Sequence, residues 1–125
     1  MKIFTGNFAN VKKYKANNLE PISIALSARY FNGQKYKSLN PDWSFKDFSK
    51  EKYTPLFNEI LSKLNAKTVY MELLKLSNNK DVVLCCHEKA GDFCHRHLVA
   101  EWLKKELGIE VFELGKMQPE QTSLF

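Results

Sequence analysis

The chain is poor in cysteine, with three among 125 residues, and two of these, Cys85 and Cys86, are adjacent. An odd, clustered set does not build a disulfide framework, so reduced thiols are expected, free to do chemistry or to bind metal. Long hydrophobic runs are also missing: no segment approaches the roughly 18 uninterrupted apolar residues of a membrane helix. The opening MKIFTGNFANVKKYK lacks the apolar middle of a secretory signal, and a cytoplasmic protein is expected. No internal repeat or low-complexity segment occurs.

What is present is an ordinary globular composition, 44% hydrophobic and 13% aromatic, with apolar positions spread along most of the chain. That is enough to offset chain entropy, which excludes disorder throughout, and the length suits one domain rather than two. The net charge of +5 is uneven: residues 1–63 carry 11 Lys/Arg against 5 Asp/Glu, residues 64–125 carry 8 against 9. In the basic half, lysines alternate with aromatics, as in Lys12, Lys13, Tyr14, Lys15 and in Lys35, Tyr36, Lys37. The alternation suits contacts to DNA or nucleotide phosphates with base stacking, and equally suits solubilising loops.

Residues 2–5 form a short β-type run ended by Gly6-Asn7, and residues 22–27 form a second, introduced by Pro21. Residues 30–55 lack a sustained period and are expected to be a long loop with short helical turns. From Pro55, Leu56, Phe57, Ile60, Leu61 and Leu64 fall on one helix face; Thr68 then caps a helix that Ser77-Asn78-Asn79 breaks. Residues 81–86 are nearly all apolar without alternation, the pattern of a strand buried on both faces at the centre of a parallel sheet. Leu98, Val99, Trp102, Leu103 and Leu107 repeat at helical spacing, Gly108 stops the helix, and residues 109–114 make a last strand. Strand, helix and strand within residues 82–114 imply parallel pairing. The expected fold is therefore single-domain α/β: a mostly parallel sheet of about four strands in Rossmann-like layers over residues 1–114, followed by a flexible tail, 115–125.

CCHEKAGDFCHRH, residues 85–97, gathers every cysteine and histidine of the chain between the buried strand and the helix it feeds. Ligands of open parallel sheets bind beyond the carboxyl ends of the strands, so chemistry is expected here. Cys94, His95 and Arg96 open the helix, where free N–H groups favour negative charge. The anion can be the Cys94 thiolate, a nucleophile with lowered pKa, or a phosphate held by Arg96 and backbone amides. Glu88 is then a general acid or base, or orients His95 or Arg96; a purely structural Glu88–Arg96 network is the alternative. Cys85 belongs to the core, and Cys86 stands between core and site. Cys86, His87, Cys94, His95 and His97 are all possible zinc ligands, but the short Cys-x2-4-Cys knuckle and a second ligand pair are missing, so no metal is assigned. The cofactor stays open.

VVLCCHEKAGDFCHRHLVAEWL resembles the signature of the bacterial family catalogued as domain of unknown function 488, in which a strand ends in Leu-Cys-x-Glu and a helix opens with Cys-His-Arg. Cys86, Glu88, Cys94, His95 and Arg96 match it residue by residue. IFTGNF is similar to the family's first strand and Thr-x-Gly turn, and SARYF, residues 27–31, to its Asp-Val-Arg segment, with Arg29 at a second strand end. Asn7 stands where many members have histidine, and Ser27-Ala28 replaces Asp-Val. The resemblance implies a fold and a site, without a substrate. Cys94, Glu88 and His95 are the catalytic candidates; Arg96, Arg29, Asn7 and Cys86 are the ligand-binding ones, expected to converge in a cationic pocket for a phosphate or nucleotide group.

The chain ends Gln121-Thr122-Ser123-Leu124-Phe125. This resembles the Gln-x-x-Leu-Phe peptide with which bacterial replication and repair proteins dock on the β sliding clamp. Leu124 and Phe125 would fill apolar clefts and Gln121 would hydrogen-bond at the rim. Two function classes are carried forward: an enzyme acting on a nucleotide or nucleic-acid phosphate near DNA, and a non-catalytic, phage-type accessory module that occupies the clamp.

Overall fold

Asp81–Cys86, β4, is apolar after its first residue, and a strand with two apolar faces must be covered on both. The computed structural model describes residues 1–87 and 93–114. In it β4 lies between β1 (Ile3–Asn7) and β2 (Leu19–Ser23), with β5 (Val111–Glu113) outside β1 and β3 (Gln34–Lys35) outside β2. Every pairing is parallel. The expected α/β class and central strand hold, and the sheet has five strands rather than about four. The additional strand, β3, pairs only Gln34 and Lys35 with Ile22 and Ser23, too short to leave a period in the sequence.

The second strand sits three residues earlier than its apolar run suggests, with Pro21 inside it. A proline cannot donate to a ladder. It is tolerated because β3 reaches β2 only at Ile22 and Ser23, so at Pro21 only β4 lies alongside. The long segment after β2 contains the expected turns, Lys37–Leu39 and Trp43–Phe45. A short helix, α1 (Val11–Ala16), follows β1.

Helix α2 (Lys50–Ser62) begins before Pro55, because Ser49 caps it by accepting from the Lys52 amide. Helix α3 (Ala66–Leu76) is capped by Asn65, whose Oδ1 accepts from the Thr68 amide at 2.9 Å; Thr68 is therefore inside the helix, not its cap. Asn78 and Asn79, at φ 55° and 69°, end it. Helix α4 (His95–Leu107) stops at Gly108 in the left-handed conformation, as its sequence predicts.

Alternate residues of β4 feed two cores. Val82 and Leu84 pack with Phe57, Leu61, Leu73, Val99 and Leu103 beneath α2, α3 and α4. Val83 and Cys85 pack with Phe4, Tyr14, Phe31 and Leu114 on the other face. Tyr14 approaches the sheet at Gly6, where a Cβ would lie 2.2 Å from its hydroxyl oxygen. The Tyr14 hydroxyl donates to the Asn7 carbonyl at 3.0 Å. Among the described residues no helix is long and apolar enough to cross a membrane.

The site follows from the register. Asn7 aligns with Cys86, Ser23 with Cys85, and Thr5 with Glu113, so four strands finish at one edge, where α4 begins.

Candidate functional site

Arg96 occupies the first turn of α4 and has 0% exposure. Its Nε donates to Glu113 Oε1 at 3.0 Å and its Nη2 to Glu113 Oε2 at 2.9 Å, a bidentate pair. Nη1 points to Cys86 Sγ at 3.1 Å. Glu113 also accepts from Thr5 Oγ1 at 2.6 Å. Burial alone would raise the Glu113 carboxyl, but the bonds from Arg96 and Thr5 outweigh it and hold the group below its ordinary value. Arg96 is the expected phosphate ligand; in the structure its guanidinium is engaged by the Glu113 carboxylate, the counter-charge a buried cation needs.

Cys86, at the end of β4, and Cys94, the residue preceding α4, form a disulfide across a sequence separation of 8. This overturns the expectation of reduced thiols throughout. Counting cysteines excludes a framework, but a strand end and the start of the next helix bring one pair together. The expectation of Cys94 as a free thiolate nucleophile accordingly applies only to a reduced form. Cys86, Cys94 and His95 form a buried cluster, with exposures of 1%, 3% and 6%. Clefts lined by described residues include one along α3 and one between α2 and α4. Cys85 is a core residue as expected; burial pushes its thiol up to about 12.

His95 Nε2 lies 2.6 Å from the Ile24 carbonyl and its ring meets Phe57 edge-on at 5.3 Å. Burial first, and then the Arg96 charge, lower its pKa to about 4, against the Ile24 bond that raises it. The ring is therefore neutral at neutral pH: Nε2–H donates to Ile24, and Nδ1, a free lone pair, faces Cys94 Sγ at 3.7 Å. Among the described residues Cys86, Cys94 and His95 are the group able to hold a metal, their ligand atoms all within 4.8 Å of one another.

The remaining predicted residues lie around this centre. Asn7 ends β1 and uses its Oδ1 to accept from the Ala9 amide at 3.1 Å, a local cap. Arg29 is exposed, in the segment after β2. His87 ties that segment to the end of β4: Nε2 meets the Ser27 carbonyl at 2.5 Å and Nδ1 meets the Tyr30 hydroxyl at 2.6 Å. Tyr30, 66% exposed, and His87 stand beside Phe8 in an aromatic group on this edge. Glu88 and the tail residues Gln121, Leu124 and Phe125 lie outside the described residues.

Sequence reasoning missed Glu113 and Thr5. The available signals were the two acids, Glu110 and Glu113, in the terminal strand expected over residues 109–114 and the need of a helix-start arginine for a counter-charge. The comparisons with known proteins agree with the resemblance. The family profile described as the active DUF488-N3 subclade matches residues 20–107, from β2 through α4, which includes Cys86, Cys94, His95 and Arg96. No curated protein and no solved structure matches the chain. With well over half of its length matched, the chain belongs to the DUF488 family, within its active N3 subclade.

Proposed function

We propose that the protein is a thiol-dependent enzyme of DNA metabolism that acts on a nucleotide or nucleic-acid phosphate-containing substrate at the carboxyl edge of the sheet. The observation that carries the reading is the Arg96 guanidinium 3.1 Å from Cys86 Sγ, with Cys94 beside it at the head of α4. A fixed cation hydrogen-bonded to one sulfur, and a helix amino terminus at the other, both favour thiolate once the disulfide is reduced. Cys86 is the better-placed nucleophile, because a direct charge-assisted bond outweighs a helix dipole. Support for a phosphate-bearing substrate comes from the basic first half of the chain and from exposed Arg29 and Tyr30 on the same edge. Gln121, Leu124 and Phe125 would hold the enzyme on the β sliding clamp.

The reactivity test uses the chain reduced with a phosphine in the presence of a chelator. Alkylation of each cysteine is followed by mass spectrometry against pH. Half-modification of Cys86 well below the ordinary thiol value of about 8.5 is expected, with buried Cys85 inert as the internal control. Half-modification of both Cys86 and Cys94 at or above that value refutes the enzyme reading. A non-catalytic binding module is the second reading, favoured by the complete burial of Arg96 against Glu113. Clamp attachment is tested separately. Deleting residues 121–125 should abolish association with the clamp and leave the thermal midpoint unchanged; undiminished association refutes it.

A further inference from the structure

The geometry points to a redox-gated metal site: in the reduced chain Cys86 Sγ, Cys94 Sγ and His95 Nδ1 bind one thiophilic divalent ion of the zinc type. The inference uses the two sulfurs of the proposed thiol centre but depends on their joint geometry with His95, not on their nucleophilicity. All three donors are buried and lie within 4.8 Å of one another. The Nδ1 to Cys94 Sγ distance is 3.7 Å, against about 3.6 Å for the nitrogen–sulfur edge of a tetrahedron with ordinary zinc bonds.

The surroundings are those of a prepared ligand set. Donation from Nε2 to the Ile24 carbonyl at 2.6 Å fixes the imidazole tautomer and turns the lone pair of Nδ1 towards the sulfurs. That is how ligating histidines are commonly oriented by an outer carbonyl. Arg96 Nη1 donates to Cys86 Sγ, a second outer contact that stabilises a thiolate, and Glu113 balances the guanidinium charge. Two thiolates then cancel the charge of a divalent ion. Three protein ligands leave the fourth tetrahedral position for water or substrate, the pattern of catalytic zinc sites.

The disulfide closes this site. A dithiol reductant opens it: the reductant is oxidised to its own disulfide, two electrons and two protons pass to the Cys86–Cys94 bond, and two thiols result. Metal binding then releases those two protons to solvent.

Cobalt(II) is the probe, titrated into the full chain reduced with a phosphine under anaerobic conditions. One equivalent is expected to give thiolate-to-cobalt charge transfer and the strong visible bands of a tetrahedral ion. Cys94→Ser and His95→Gln should each weaken binding by about tenfold or more, and Cys85→Ala should leave it unchanged. A second readout needs no variant: zinc should protect Cys86 and Cys94 of the reduced wild-type chain from alkylation. No tetrahedral cobalt spectrum together with no zinc protection overturns the site, as does full binding in Cys94→Ser. Low-pH thiol reactivity without metal binding removes this inference alone, whereas metal binding with ordinary thiol reactivity removes the nucleophile reading alone.

Discussion

Arg96 is a permanently charged side chain with no exposed surface, and its cost is met by one residue, Glu113. Breaking a buried pair from one side leaves a charge without its partner, which costs about 3–5 kcal/mol. Glu113→Gln is expected to lose that much in denaturant unfolding, while the conservative swap of an exposed acid such as Glu106 changes little. The pH dependence has a definite sign. The folded-state carboxyl of Glu113 is held below its ordinary value, so its stabilisation is complete above about pH 4.5 and is lost as pH falls towards the folded value. The wild-type chain should therefore lose stability on acidification below that pH more steeply than Glu113→Gln; equal slopes would sink the assignment. At this scale the sequence was half legible. A Cys-His-Arg run at a helix start marks the cluster in the sequence, but the partner of its buried arginine sits on a strand, and only the register of β5 against β1 brings it there.

Elements were legible where side-chain periodicity and stop residues agree. β4 announced its central place through apolar residues on both faces, and α4 through its apolar repeat and Gly108. Two of the displaced boundaries, those of β2 and α2, share a cause: proline reads as the opening of an element, and at Pro21 and Pro55 it lies inside one. At Pro21 the missing N–H costs little because β2 lacks a second neighbour there, whereas at Pro55 the helix already begun from its Ser49 cap continues with one i→i−4 bond lost. β3 and α1 were invisible because two residues and six residues hold too little period to read. Gly108 offers a clean test of an element end. Its φ is 64° and a Cβ there would meet no atom within 4 Å, so Gly108→Ala carries backbone strain without a clash. A loss of about 1 kcal/mol is expected, seen as a lower denaturant midpoint at unchanged slope. No loss would mean that the helix end relaxes out of the left-handed conformation.

For the whole molecule, the disulfide links the end of the central strand to the start of the helix that covers it, and so restricts the unfolded chain as well as the site. Closing a loop across a separation of 8 residues removes chain entropy equivalent to about 2–3 kcal/mol in the loop-closure treatment. This is a sizeable share of the stability of a domain this small. Reduction should therefore lower the unfolding free energy of the wild-type chain by about that amount, with the fold retained, because the core beneath α2, α3 and α4 contains neither cysteine and the opposite core, which includes both, keeps its other apolar members. Cys94→Ser should start at the lower stability and show no further response to reductant. If the wild-type chain keeps its stability on reduction in the presence of a chelator, the bridge constrains little. If the loss appears with chelator and is recovered when zinc is added, the same two cysteines hold the strand end to the helix in either state, joined by His95 when metal is bound, since a ligand that binds only the folded chain stabilises it by mass action.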